Sequence, residues 1–230
     1  MPTAIIPARG GSKRLPRKNI LPLGGSPAIT YPIKAAIESD LFDRVIVSTE
    51  DNEIADIAAG AGAEIHDRKG SLASDRAGVV DVCLDVLDAA TGAGQSIESI
   101  CCVYATAVMI RAEDLVKAAA VFENGPPSRP NGVMCVSEYN YYPHSALYET
   151  DGGLSPFFPE MVNKSRHEVP RLLASNGTFY MVRSDVLRKD RSFYVDRLAA
   201  YVVDKYRALD IDTPEDYAFA TRVFPLLQEL

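Results

Sequence analysis

Positive charge is scarce in this chain: 24 Lys and Arg stand against 31 Asp and Glu, a net charge of −7 over 230 residues. That balance argues against a general nucleic-acid binder. Long apolar runs are also missing. None approaches the roughly 20 residues of a membrane span, and Met1-Pro2-Thr3-Ala4-Ile5-Ile6-Pro7 has no basic segment followed by a long apolar one, so no signal peptide is expected. Only four cysteines occur, Cys83, Cys101, Cys102 and Cys135, without zinc-type spacing. Cys101 and Cys102 sit in an apolar strand-like run and Cys83 on an apolar helix face. Buried free thiols in a cytoplasmic protein are therefore expected rather than disulfides. A dinucleotide-binding G-x-G-x-x-G fingerprint is absent, because Gly10-Gly11 lacks the third glycine and is followed by Lys13-Arg14.

What is present is sharply localised. Arg9, Lys13, Arg14, Arg17 and Lys18, with Gly10, Gly11, Ser12 and Asn19, follow a short apolar strand within the first twenty residues. With no overall basic excess, five cations in one place need a local reason. A polyanion such as a nucleoside triphosphate supplies one: glycines let backbone N–H groups approach phosphate oxygens while Arg and Lys neutralise charge. The alternative is a solvated basic loop, but Pro7, Pro16 and the glycine pair impose a shape that a charge tag does not need.

The hydrophobic fraction of 47% and charged fraction of 24% are those of a globular chain, and 230 residues suit one domain carrying an insertion. Strand and helix alternate through the first two-thirds. Strands are expected at Thr3–Pro7, Arg44–Thr49, Ala63–Ile65 and Ser99–Tyr104. Helices are expected from Ser26-Pro27 to about Ser39, at 51–59, at 79–90, where Val79, Val80, Cys83, Val86, Leu87 and Ala90 share one face, and at 112–123. Such alternation predicts an α/β fold, a Rossmann-like mostly parallel sheet with helices on both faces, and ligands beyond the carboxyl ends of the strands. The helical period is lost between about 138 and 175, where Tyr139, Tyr141, Tyr142, Tyr148, Phe157 and Phe158 are interspersed with Pro and Gly. This reads as a β-rich insertion that caps the site, makes a subunit contact, or simply packs on its own domain. The sheet resumes at 177–182.

A second constellation lies near the other end, Asp210-Ile211-Asp212-Thr213-Pro214-Glu215-Asp216. In an extended segment Asp210 and Asp212 point to one face, while Thr213, Pro214 and Asp216 form a capping-box helix start. Two carboxylates at a strand end suit a hard cation such as Mg²⁺ that completes its shell with phosphate oxygens and water. They also suit a purely structural role at the helix start.

The opening motif, Arg68-Lys69-Gly70-Ser71-Leu72-Ala73-Ser74-Asp75 and the Asp210–Tyr217 motif resemble the cytidylyltransferases that activate nine-carbon 2-keto sugar acids, and the likeness runs over essentially the whole chain. Val103-Tyr104-Ala105-Thr106-Ala107 and Phe158-Pro159-Glu160 through Ser165-Arg166 resemble the pseudaminic acid subgroup, whereas Asn176-Gly177 is more similar to the sialic and legionaminic acid enzymes. The resemblance implies CMP transfer from CTP to an anomeric hydroxyl, release of pyrophosphate, dependence on Mg²⁺, and a homodimer. Carried over residue by residue, it implies nucleotide contacts at Arg9, Gly10, Gly11, Ser12, Lys13, Lys18, Asn19, Arg68, Ser74, Asp75, Tyr104 and Thr106. It puts Arg166, Asn176 and Gly177 at the sugar, and Asp210 and Asp212 at the metal. Arg9, Lys18 and Asp212 are then the expected catalytic residues.

Overall fold

The structure is a computed structural model that describes residues 2–74, 77–126, 128–165 and 167–228. Its strands, in chain order, are β1 (Thr3–Pro7), β2 (Pro22–Leu23), β3 (Ser26–Pro27), β4 (Arg44–Thr49), β5 (Glu64–Asp67), β6 (Ser99–Val103), β7 (Gly132–Glu138), β8 (Leu147–Thr150), β9 (Gly153–Pro156), β10 (Leu173–Arg183) and β11 (Leu198–Val202). The helices are α1 (Thr30–Glu38), α2 (Asn52–Gly60), α3 (Val79–Gly92), α4 (Ala112–Asn124), α5 (Ser184–Asp190) and α6 (Pro214–Gln228). Seven strands form the central sheet in the order β11-β7-β10-β6-β1-β4-β5. All neighbours are parallel except β10, which runs antiparallel to both β6 and β7.

Alternating side chains divide the core into two layers. On one face Ala4, Ile6, Val45, Val47, Cys101 and Val103 pack against Ile33 of α1, Ile54 of α2 and Leu115 and Phe122 of α4. On the other, Ile5, Ile46, Ile100 and Cys102 meet Cys83, Val86 and Leu87 of α3 and Leu187 of α5. Adjacent Ile5 and Ile6 are both fully buried, on opposite faces, which requires a central strand covered on both sides. Each contributes about 1.5–3 kcal/mol by leaving water. All four cysteines are buried free thiols, as their apolar surroundings predict.

Local chemistry sets the helix starts. Asp51 caps α2 by accepting the Ile54 N–H at 3.0 Å. At α6 the capping box is reciprocal: Asp216 N–H donates to Thr213 Oγ1 at 3.2 Å, and the Asp216 carboxylate accepts the Thr213 N–H at 2.8 Å. Among the described residues no helix is long and apolar enough to cross a membrane.

One expected boundary is corrected. Ser26-Pro27 does not open a helix. These residues form β3, paired antiparallel with β2 across Gly24 and Gly25, and α1 begins at Thr30. Ser-Pro chemistry fits both contexts, and the tight Gly-Gly turn decides for the hairpin, since both glycines have positive φ (54° and 87°). Elsewhere the 138–175 segment contains its own two-stranded sheet, β8 paired with β9.

A third apolar cluster joins the two chain ends. Leu15, Leu23 and Ala28 from the N-terminal segment bury against Ile211, Ala220 and Phe224, with Val108 and Met109 between. Phe224 meets Tyr31 edge-on, with ring centroids 4.8 Å apart. A Cβ placed on Gly24 would lie 2.5 Å from the Phe224 ring. Gly24→Ala is therefore expected to destabilise the protein by about 1–3 kcal/mol through steric clash and left-handed backbone strain. Urea unfolding checks this, and a midpoint unchanged from the parent would show that α6 does not hold the turn closely.

Candidate active site

The chain places β1 at the centre of the parallel part of the sheet, between β4 and β6. The loop after β1 therefore emerges where connections diverge to both sides, the usual location of a ligand crevice in such sheets. A cleft of about 330 Å³ opens there, with Arg9, Arg14, Lys18, Asn19, Arg68, Ser74, Tyr104, Thr106, Asp210 and Asp212 in its walls. Four cations thus face two carboxylates in a chain whose overall charge is −7. The local excess is real and concave, so it focuses field on an anionic ligand.

Residues 194 apart in sequence meet at the centre. Lys18 Nζ lies 2.6 Å from Asp212 Oδ1, and Arg14 donates to Asp212 Oδ2 at 2.5 Å. Ile211, between the two aspartates, is buried in the third cluster, so Asp210 and Asp212 turn away from that cluster toward the cleft. Asp210 makes no hydrogen bond among the described residues. Desolvation in the concave wall, and then Asp212, raise its carboxyl above the usual value. At Asp212 desolvation pulls upward too, but Lys18 and Arg14 outweigh it and hold the group below the usual carboxylate range.

The chemistry of the pair fits a hard cation. Two hard carboxylate donors, one without a hydrogen-bond partner among the described residues, suit a cation that takes its other ligands from phosphate and water. Among the described residues no group of three or more His, Cys, Asp or Glu is arranged to hold a metal ion.

A set of hydrogen bonds and ion pairs fixes the loop and the cleft floor. The Asn19 side chain, only 4% exposed, donates to the Arg9 carbonyl at 3.0 Å. Arg17, in left-handed backbone, pairs with Asp51 and with Glu53, which ties the loop to the start of α2. Gly10 packs where a Cβ would lie 2.4 Å from Asp51 Oδ2, and its N–H donates to Glu50 Oε1 at 2.8 Å. Glu50 also faces Arg68 at 4.0 Å. Arg68 is 5% exposed and donates to the Ser48 carbonyl at 2.5 Å.

Most of the expected site residues converge. Arg9, Lys18, Asn19, Arg68, Ser74, Tyr104, Thr106, Asp210 and Asp212 line one cleft. Gly10, Gly11, Ser12 and Lys13 share the loop but do not line it, although Ser12 Oγ is buried without a hydrogen-bond partner among the described residues. Asp75 and Arg166 lie outside the described residues. Asn176 and Gly177 line an adjoining cleft of about 470 Å³, with Ser137, Glu138, Ser175, Tyr180 and Lys205, and this cleft shares Tyr104 and Asp210 with the first. They form part of an irregular stretch of β10: the pairing with β7 shifts between Ser175 and Tyr180, Gly177 has φ +66°, and the Asn176 amide nitrogen reaches Cys135 Sγ at 3.6 Å.

Arg14, Glu50 and Lys205 were not singled out from the sequence. Arg14 belongs to the basic run, which by itself does not distinguish its members. Glu50 is marked by its place directly after the buried strand β4, at the carboxyl edge of the sheet. Lys205 carries no local signal.

The cytidylyltransferase family model matches residues 3–228. The chain belongs to the cytidylyltransferase family, a class of nucleotidyltransferases. It is 31% identical over 227 residues to a pseudaminic acid cytidylyltransferase of Campylobacter jejuni, covering 98% of this chain and 97% of that one. It is 29% identical over 232 residues to the CMP-N,N'-diacetyllegionaminic acid synthase of Legionella pneumophila, with the same coverage. Among solved structures, a CMP:2-keto-3-deoxy-manno-octonic acid synthetase complexed with CTP superposes with a TM-score of 0.71 at 18% identity, with full coverage of both chains.

The titration of Asp212 gives a test. A carboxyl held below its unfolded value near 3.9 stabilises the fold above that pH and loses the contribution as pH falls through the folded value. Urea unfolding of Asp212→Asn is expected to lose less stability between about pH 5 and pH 3 than the parent. Parallel pH curves would mean that Lys18 and Arg14 do not engage Asp212 in solution.

Proposed function

We propose that this enzyme transfers CMP from CTP to the anomeric hydroxyl of a nine-carbon 2-keto sugar acid, pseudaminic acid or a related one, and releases pyrophosphate. The observation that carries the proposal is the pair of adjoining clefts. One is lined with cations, the other with polar groups and Lys205, and Tyr104 and Asp210 form their shared wall. A triphosphate in the first and a sugar acid in the second would bring the attacking hydroxyl and the α-phosphorus together at that wall. The names of the similar proteins from Campylobacter jejuni and Legionella pneumophila support this acceptor class.

The chain's own task is then to position two anions and stabilise charge on phosphate oxygens. Arg9, Lys18 and the exposed Arg14 would hold the phosphate tail, with Lys13 and the Gly10–Ser12 loop closing toward it. Each charge-assisted hydrogen bond contributes about 1.5–3 kcal/mol. Arg68 would give fixed positive potential from below, because its guanidinium is held by Ser48. Ser74 and Thr106 would border the nucleoside, and Tyr104 would separate base from sugar. Asn176 and Gly177 would border the acceptor, Gly177 allowing the left-handed backbone (φ +66°) beside Asp210. Asp210 and Asp212 would hold Mg²⁺, which when bound neutralises phosphate charge and acidifies a coordinated hydroxyl.

The reading includes a homodimer built on the 138–175 insertion, supported by the exposed apolar side chains Leu147, Tyr148, Leu154 and Phe157 around its hairpin. CTP as substrate and four reduced thiols support a cytoplasmic setting.

The deciding assay supplies CTP and Mg²⁺ with pseudaminic, legionaminic and sialic acids in turn and measures CMP-sugar and pyrophosphate. At least one acid should be consumed, with CTP preferred over the other triphosphates. Asp212→Asn is expected to lower kcat at least about a hundredfold while the fold persists, the scale of one lost electrostatic stabiliser. No turnover with any of the three acids would reject the acceptor class.

A further inference from the structure

The segment that carries Asp210 and Asp212 has no regular secondary structure, yet its position must be set to within a fraction of an ångström for Lys18 and Arg14 to meet Asp212. A buried polar network lies immediately before it. Asp114, near the start of α4, is 2% exposed. Its Oδ1 accepts from Arg207 Nη1 at 3.2 Å and from the Tyr201 hydroxyl at 2.9 Å, and its Oδ2 accepts from Arg207 Nη2 and from the Arg111 N–H at 2.9 Å. The same Arg207 Nη2 donates to the Met109 carbonyl at 3.0 Å. One guanidinium thus ties the segment after β11 both to the first turn of α4 and to the loop after β6.

Burial of an ion pair is a poor route to stability, because well-packed apolar side chains of similar volume do as well or better. What a two-pronged Arg–carboxylate pair supplies is direction: the planar fork accepts one register and one orientation. Arg207 lies three residues before Asp210, and Met109, whose carbonyl it grips, packs in the same apolar cluster as Ile211. The chain between is short, since three residues extend at most about 10 Å. A change at Arg207 is therefore transmitted directly to the aspartates. Tyr201 completes the network, and desolvation followed by Asp114 keeps its hydroxyl protonated far beyond neutral pH, as a permanent donor.

We propose that Arg207 and Asp114 are positioning residues of the active site: their buried pair sets the register in which Asp210 and Asp212 face Lys18. Neither touches substrate. The inference rests on the proposed use of that cleft in catalysis, but the placement itself is measurable without turnover.

Arg207→Lys keeps the charge and removes the fork. The double variant Arg207→Met with Asp114→Asn removes the charge pair while keeping a carbonyl acceptor for the Arg111 N–H, and stands in if the single variant does not fold. A folded variant, melting within about 8 °C of the parent, is expected to show faster amide hydrogen exchange across residues 207–212 in the ligand-free protein. Its kcat should be at least about tenfold lower, with KM for CTP changed much less, because misplacement of reacting groups acts on the chemical step. Parental exchange across 207–212, or parental kcat in a folded variant, would overturn the proposal and leave the pair a structural contact. A parent enzyme inactive toward all three acids would count against the acceptor class alone, since the exchange readout needs neither nucleotide nor sugar.

Discussion

The burial of Phe224, Ala220 and Ile211 against Leu15, Leu23 and Ala28 is the contact on which the rest of the site depends. The cations near the start of the chain and the carboxylates near its end belong to different parts of the fold, and neither the strand order nor the helix layers force them together. The third apolar cluster does so. It lays α6 over the β2–β3 turn, and the geometry is close enough that the turn residue beneath Phe224 has to be glycine. Tyr217 reinforces it by donating from its hydroxyl to the Pro22 carbonyl at 2.5 Å. Non-directional apolar burial brings the ends into proximity, and directional polar contacts then fix the details.

Much of the fold was legible because β1, β4 and β6 are buried on both faces and carry apolar residues at successive positions, while α3 repeats its apolar residues at helical spacing. The capping box at Thr213–Asp216 was legible for the same reason, as local chemistry with few alternatives. The start of α1 was not. Ser26-Pro27 carries a helix-start signal, but the Gly24-Gly25 turn before it and the docking of α6 on that turn are tertiary facts that a local motif cannot report. The irregular stretch around Asn176 and Gly177 in β10 was likewise invisible, since an Asn-Gly pair inside a β-rich run does not say which way its strand must shift.

At the site, the sequence pointed to residue types that concentrate charge, and Arg9, Lys18, Arg68, Asp210 and Asp212 among them line one cleft. It did not point to the supporting set. Glu50 accepts the Gly10 N–H and faces Arg68, so one carboxylate connects the glycine-rich loop to the buried arginine. A glutamate after a strand is common, and only its neighbours in space give it that position. Arg207 and Asp114 are 93 residues apart and show no shared motif.

The ion pairs of Lys18 and Arg14 with Asp212 have a further consequence for how an anion enters. In the cleft these two cations share one resident carboxylate, which acts as an internal stand-in for the guest while a net positive charge remains. For these two cations an arriving polyphosphate therefore performs an exchange, displacing one anionic partner by another. That share of the association should respond less steeply to added salt than binding to the same cations met only by mobile ions.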